Sequence, residues 1–165
     1  MRNGRIEKSI LLHASIQRVW RALADPAQFG SWFGMRVEGP FEPGRILRVA
    51  IAPTTVDPEV ARLQKPYEGF PFEIRIVQVE PERIFSFRWT LSEQPLEDYS
   101  SEPTTLVEFT LEQQRAGVLL SVTESDFEQL AAEHRERLRS RNEQGWALQM
   151  KLIERYLAAL PDIDC

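Results

Sequence analysis

The order of apolar patterns along this chain predicts an α+β fold: a strand, two short helices, about six further strands, then one long helix. Three observations carry that reading. Alternation with a period of two recurs through the middle of the chain, and turn signals separate its runs. No amphipathic helix intervenes between those runs, which argues for an antiparallel sheet over βαβ units. From Leu138 onward, Trp146, Met150, Ile153, Leu157 and Leu160 recur at steps of four, three, four and three residues. That is the period of one helix face. A twisted antiparallel sheet of six to seven strands curls around the one long helix that covers it.

Each element has its own signal. Residues 6–13 alternate in part, with Ile6, Ile10 and Leu12 on one side. Ser15 then serves as an N-cap for a helix carrying Ile16, Val19, Trp20 and Leu23. Asp25-Pro26 ends that helix and starts a second, since proline suits a first helical position. The second helix closes on Trp32-Phe33 before Gly34. Strands at 36–41 and 44–52 flank the turn Pro43-Gly44, and Leu47, Val49 and Ile51 share a face. Residues 53–66 hold three prolines and mixed charge and read as a mobile loop. Phe70, Phe72, Ile74 and Ile76 then alternate with Glu73 and Arg75, and after Pro81-Glu82 the set Phe85, Phe87 and Trp89 alternates with Ser86 and Arg88. Ser92 to Glu102 is an acidic surface loop. Residues 105–113 and 117–125 form a hairpin about the tip Gln114-Arg115-Ala116-Gly117. No repeat or linker divides residues 1–165, so one domain is expected.

Composition narrows the function classes. The chain has 165 residues, 42% hydrophobic and 27% charged, as in an ordinary globular protein. A formal net charge of -5 gives nucleic-acid binding no electrostatic support. The basic run His134 to Arg141 is interleaved with Glu133, Glu136 and Glu143, and reads as a solvated, ion-paired helix face. The one cysteine, Cys165, can form neither an intramolecular disulfide nor a zinc cluster. His13 and His134 have no partners at metal-ligand spacing, and no phosphate loop, dinucleotide fingerprint or nucleophile elbow is present. No cofactor is expected. Residues Met1 to Arg5 show no apolar signal region, and no apolar stretch approaches the ~20 residues that cross a bilayer. A cytoplasmic protein without membrane or nucleic-acid partners is the expectation, as monomer or homodimer.

Two residues suggest a site. Glu124 continues the register of Val118, Leu120 and Val122, so a carboxylate points where three apolar side chains point. Desolvation raises the pKa of such a group unless a donor meets it. It could pair with an arginine or cap the next turn, orient a ligand, or act as a base. Gly145 sits just before Trp146, where glycine costs a helix roughly 1 kcal/mol relative to alanine. A gap beside a large aromatic suggests a helix that lies over something, although core packing is the more ordinary fate for a tryptophan at helical spacing.

Several segments resemble the START-like, birch-pollen-allergen-like (SRPBCC) superfamily, and within it the branch named for the activator of the heat-shock chaperone ATPase. They are Val19-Trp20-Arg21-Ala22-Leu23 with Asp25-Pro26, Trp32-Phe33-Gly34, Lys65 to Ile74, Phe85 to Trp89, Val122 to Phe127, and Asn142-Glu143-Gln144-Gly145-Trp146. The family pattern usually reads Ser-Gly-Phe where this chain has Ser125-Asp126-Phe127. If that glycine serves a positive φ, aspartate holds it with some strain. The resemblance implies a helix-grip fold with ligands between the terminal helix and the sheet. It implies cavity candidates Trp32, Phe33, Phe41, Phe72, Phe85, Phe87, Trp89, Glu124, Trp146 and Met150. The expected function is therefore non-catalytic binding of a hydrophobic or aromatic small molecule. The alternatives are a chaperone-ATPase-interacting protein, or a cyclase- or hydrolase-like enzyme using the same cavity with Glu124 as acid or base, aided by a tyrosine such as Tyr67.

Overall fold

A computed structural model describes residues 4–159, so Leu160 at the end of the apolar stripe and Cys165 lie outside the described residues. The chain runs β1 (Ile6–Leu12), α1 (Ile16–Ala24), α2 (Pro26–Phe33), β2 (Met35–Val37), β3 (Ile46–Ile51), α3 (Pro58–Gln64), β4 (Pro71–Glu80), β5 (Ile84–Thr90), β6 (Thr104–Gln114), β7 (Gly117–Ser125) and α4 (Ala132–Ala159). The strands form a 7-stranded antiparallel sheet in the order β1-β7-β6-β5-β4-β3-β2. Neighbours in that order are consecutive in sequence except β1, which crosses over to pair with β7, Ile6 opposite Glu124. This is the α+β, helix-grip architecture that the sequence predicts.

The helix ends follow their caps. Ser15 accepts the backbone N–H of Arg18 at 3.2 Å, and Asp25 accepts that of Ala27 at 3.1 Å with Pro26 in the first turn of α2. Gly34 ends α2 in a left-handed conformation, φ 99°. Asp126 holds φ 73°, a left-handed angle that an aspartate adopts at some strain, and its carboxylate accepts from the Arg88 guanidinium. That pairing ties the turn before α4 to the middle of β5.

One segment departs from expectation. The stretch 53–66 is not a loop throughout, because it contains α3 and leads into a 3-10 turn at Lys65–Tyr67. Its prolines mislead by number. Pro58 stands at the first position of the helix, where its missing N–H costs nothing, and Asp57 accepts from Glu59 and Val60 N–H at 2.8 and 3.3 Å. The strand expected at 36–41 shortens to Met35–Val37, since Gly39 turns the chain at φ 115° and Pro40 has no N–H to give a ladder.

The inner face of the sheet is strict in register. Val107, Phe109 and Leu111 of β6 are buried, as are Val118, Leu120, Val122 and Glu124 of β7. Against this face lie α1, α2 and the apolar stripe of α4, whose Leu138, Trp146, Met150, Ile153 and Leu157 are all buried. The core is thickest where rings meet. Phe29 of α2 packs within 6.2 Å of Phe41, Phe85, Phe87 and Phe109, edge to face, the arrangement aromatic quadrupoles favour.

Candidate ligand cavity beneath the C-terminal helix

Sheet and helix do not touch along their whole length. Beyond the phenylalanine cluster they border a cavity of about 670 Å³ that is open to solvent on one side. Its helical wall is Arg141, Asn142, Gly145, Leu148 and Gln149 of α4, residues that share one face. Ile51 of β3, Phe72 of β4, and Trp89 and Thr90 of β5 form the floor. The side wall is α3 with the turn after it, through Val60, Leu63, Gln64 and Tyr67. A Cβ placed on Gly145 would meet nothing within 4 Å, so the glycine's vacant position opens on the cavity. The rim is apolar: Leu63 is 65% exposed, Tyr67 61% and Leu148 41%.

The side wall is held largely by polar contacts, since α3 has no fully buried residue and packs only its partly buried Val60 against the core. Gln64 accepts the Thr54 N–H at 2.7 Å and donates to the Phe33 carbonyl at 3.1 Å. Gln149 of α4 donates to the same carbonyl at 3.0 Å. Gly34 makes this close approach feasible, because a Cβ there would lie 2.3 Å from the Gln64 amide nitrogen. Asp57 accepts from Arg155 Nη1 at 2.6 Å, which anchors the start of α3 to the far end of α4.

A second set of contacts crosses the mouth. Glu93, in the loop after β5, accepts from Arg137 Nη2 at 3.0 Å and lies 3.8 Å from Arg141 Nη1. The hydrogen bond from Arg137 holds the Glu93 carboxyl below the usual carboxylate range, with the charges of Arg137 and Arg141 adding to it against partial desolvation. The ion-paired face expected of the basic run is thus divided. Arg139 pairs along the helix with Glu136 and Glu143, whereas Arg137 and Arg141 reach across to the loop.

Directly behind the floor lies Glu124, fully buried. It accepts five hydrogen bonds: from Trp89 Nε1 at 2.8 Å, Thr105 Oγ1 at 2.6 Å, Trp146 Nε1 at 2.9 Å, and Asn142 Nδ2 at 3.0 and 3.1 Å to its two oxygens. All four donating side chains are neutral. Asn142 and Trp146 stand one helical turn apart, so a single face of α4 delivers both. The two indoles stack with centroids 5.8 Å apart and planes at 24°. The carboxylate thereby fixes the orientation of one floor residue, Trp89, and one wall residue, Asn142.

The ten cavity candidates divide by position. Phe33, Phe72 and Trp89 line the cavity. Trp146 and Glu124 stand one layer behind it, joined through the network just described. Trp32, Phe41, Phe85, Phe87 and Met150 are buried in the core, and Trp32 donates its indole N–H to the Ala22 carbonyl at 2.8 Å. The tyrosine considered beside Glu124, Tyr67, sits on the exposed rim while the carboxylate is sealed inside. Sequence reasoning missed Asn142, Gln149 and Arg141 as wall residues, although all lie three or four positions from Gly145 on the same helix face. It also missed Val60, Leu63 and Gln64, for which the capping signal Asp57-Pro58 was available.

Among the described residues no group of three or more His, Cys, Asp or Glu could hold a metal ion, and no helix is long and apolar enough to cross a membrane. Fold and site together define a START-like, SRPBCC-type domain. The family model described as Activator of Hsp90 ATPase homolog 1-like protein matches residues 13–158, and the chain belongs to that family. Solved structures agree on the fold. Protein MLL2253 from Mesorhizobium loti superposes with a TM-score of 0.71 at 17% identity, over 95% of this chain and 98% of that one. Protein Ms6760 from Mycobacterium smegmatis gives 0.70 at 16% identity, over 96% and 93%. The Aha1 dimer from Colwellia psychrerythraea, solved in solution, gives 0.65 at 14% identity, over 94% and 96%. Comparison with curated proteins gave no match.

Proposed function

We propose that this protein binds a small, mainly apolar molecule of aromatic character in the cavity between α4 and the sheet, and does so without transforming it. The observation that supports the reading is the cavity itself. Its volume of about 670 Å³ falls within the ~300–1,000 Å³ of ordinary ligand sites. Its α4 wall carries a glycine whose Cβ direction is open space, at a helical position where glycine otherwise only costs stability. Aromatic floor residues and an apolar rim supply contact area, and a few amides supply direction. In this reading Glu124 is structural support for the wall. Five hydrogen bonds occupy its two oxygens, and a proton acceptor so engaged, behind the floor, has no route to a ligand.

The test is titration with flat apolar compounds, followed by quenching of tryptophan fluorescence, since Trp89 lies on the floor. Gly145→Phe fills the cavity from its wall, and should abolish binding while leaving the circular dichroism spectrum and melting cooperativity intact. Binding undiminished in a folded Gly145→Phe protein would place the ligand elsewhere and sink the proposal.

A further inference from the structure

The amides of the cavity wall all commit their nitrogens to acceptors within the protein. Asn142 hydrogen-bonds through Nδ2, at 3.0 and 3.1 Å to the two oxygens of Glu124. A carboxylate accepts only, so the opposite rotamer would set oxygen against oxygen. The Asn142 orientation is therefore dictated by Glu124, and its Oδ1 is left without a hydrogen-bond partner among the described residues on a side chain that lines the cavity. Gln149 differs: its Nε2 is committed to the Phe33 carbonyl at 3.0 Å, and its Oε1 is buried without a partner, out of reach of the cavity. Gln64 offers neither end, because its nitrogen also binds the Phe33 carbonyl and its oxygen accepts from Thr54. The α4 wall thus presents the Asn142 amide oxygen and withholds the amide nitrogens.

We infer that the cavity selects ligands carrying an N–H or O–H donor on an apolar ring system over isosteres lacking one, and that Glu124 sets this preference by fixing the Asn142 amide. This rests on the binding reading above and specifies its ligand class. Glu124 is a positioning residue here, acting on the ligand only through Asn142. Donor-bearing ligands satisfy an oxygen that is otherwise unpaired in a mainly apolar cavity, and leaving such an acceptor unmet beneath a bound ligand carries a desolvation cost.

Three tricyclic compounds of one shape separate the possibilities: carbazole (an N–H donor), dibenzofuran (its isostere with ether oxygen) and 9-fluorenone (a carbonyl acceptor). For the natural sequence carbazole should bind ~3- to 10-fold more tightly than dibenzofuran, the value of one net hydrogen bond. Glu124→Gln replaces the obligate acceptor with an amide that can donate to Asn142 Oδ1, freeing the Asn142 amide to rotate. The carbazole preference should then fall towards unity and fluorenone should gain. Asn142→Leu removes the acceptor without touching Glu124, and should erase the carbazole preference with no gain for fluorenone, so the test stands even if Glu124→Gln does not fold. Equal binding of carbazole and dibenzofuran to the natural sequence would overturn the donor preference while leaving the binding reading intact. Failure of all three compounds to bind would remove both. A carbazole preference that survives in both variants would overturn the role given to Glu124 and Asn142.

Discussion

The space between the sheet and the helices is filled at one end and hollow at the other, and the strand β5 passes through both. Its inward residues are Phe85, Phe87 and Trp89. Phe85 and Phe87 sit in a cluster with Phe29, Phe41 and Phe109, all of them buried. Two residues further on, Trp89 has Phe33 and Trp146 on one side and open cavity on the other. The difference lies in what covers the strand. Over the filled end α2 drives the buried rings of Phe29 and Trp32 down onto the sheet. Over the hollow end the cover is α3, which has no fully buried residue, and the stretch of α4 where glycine replaces a side chain. Identical strand chemistry gives core or cavity according to the helix above it.

Truncation should separate the two ends most sharply. Phe109 is fully buried and contacts Phe29, Phe85, Phe87 and Trp146. Phe109→Ala should cost about 3–5 kcal/mol, as phenylalanine truncations in packed cores do. Phe72 is only partly buried, meets Trp89 edge-on at 6.1 Å and already borders empty space. Phe72→Ala should cost about 1 kcal/mol, because little new void is created. Chemical denaturation of both variants checks the pair. Equal losses would mean that the hollow end is packed as tightly as the filled one.

The division also explains how far the sequence could be read. Strand alternation and the α4 stripe were legible, because burial on one face imposes period two on a strand and 3.6 on a helix. Glu124 was legible as an inward carboxylate from register alone, and its burial follows directly from Val118, Leu120 and Val122. Its partners were not. Trp89, Thr105 and Asn142 come from three other elements, and only the pairing of β5, β6 and β7 with α4 above them brings those donors to one point. The aromatic residues were equally visible but unsorted, since Phe87 and Trp89 occupy equivalent positions on β5 and differ only in what lies overhead. The wall element α3 escaped notice because proline content was weighed above the cap Asp57, although Pro58 begins the helix.

Gly145 offers a gentler probe of the hollow end. Alanine there adds a methyl group with nothing within 4 Å to meet it. Gly145→Ala should therefore gain the helix propensity difference of about 1 kcal/mol, and raise the melting temperature by roughly 2–4 °C for a chain of this size. A neutral or destabilising result would show that the position is crowded in solution. The same variant should weaken carbazole modestly, because the methyl group occupies part of the volume a ring would use.

The smallest expected effect concerns the mouth, where Glu93 joins its loop to Arg137 and Arg141 of α4. The hydrogen bond from Arg137 depresses the folded-state pKa of Glu93 below its unfolded value. A carboxylate shifted that way contributes stability that is fully present above the unfolded pKa and is lost as pH falls through the folded one. Both partners are substantially exposed, so screening by water and salt keeps the contribution small. Glu93→Gln should thus lower stability slightly at neutral pH, and the difference from the natural sequence should vanish in acid, below the carboxylate range, and shrink in high salt. Ligand exchange is the more sensitive readout. If this ion pair bridges the mouth in solution, the variant should bind and release carbazole faster with little change in affinity, whereas a loop held by its other contacts would leave both rates as they were.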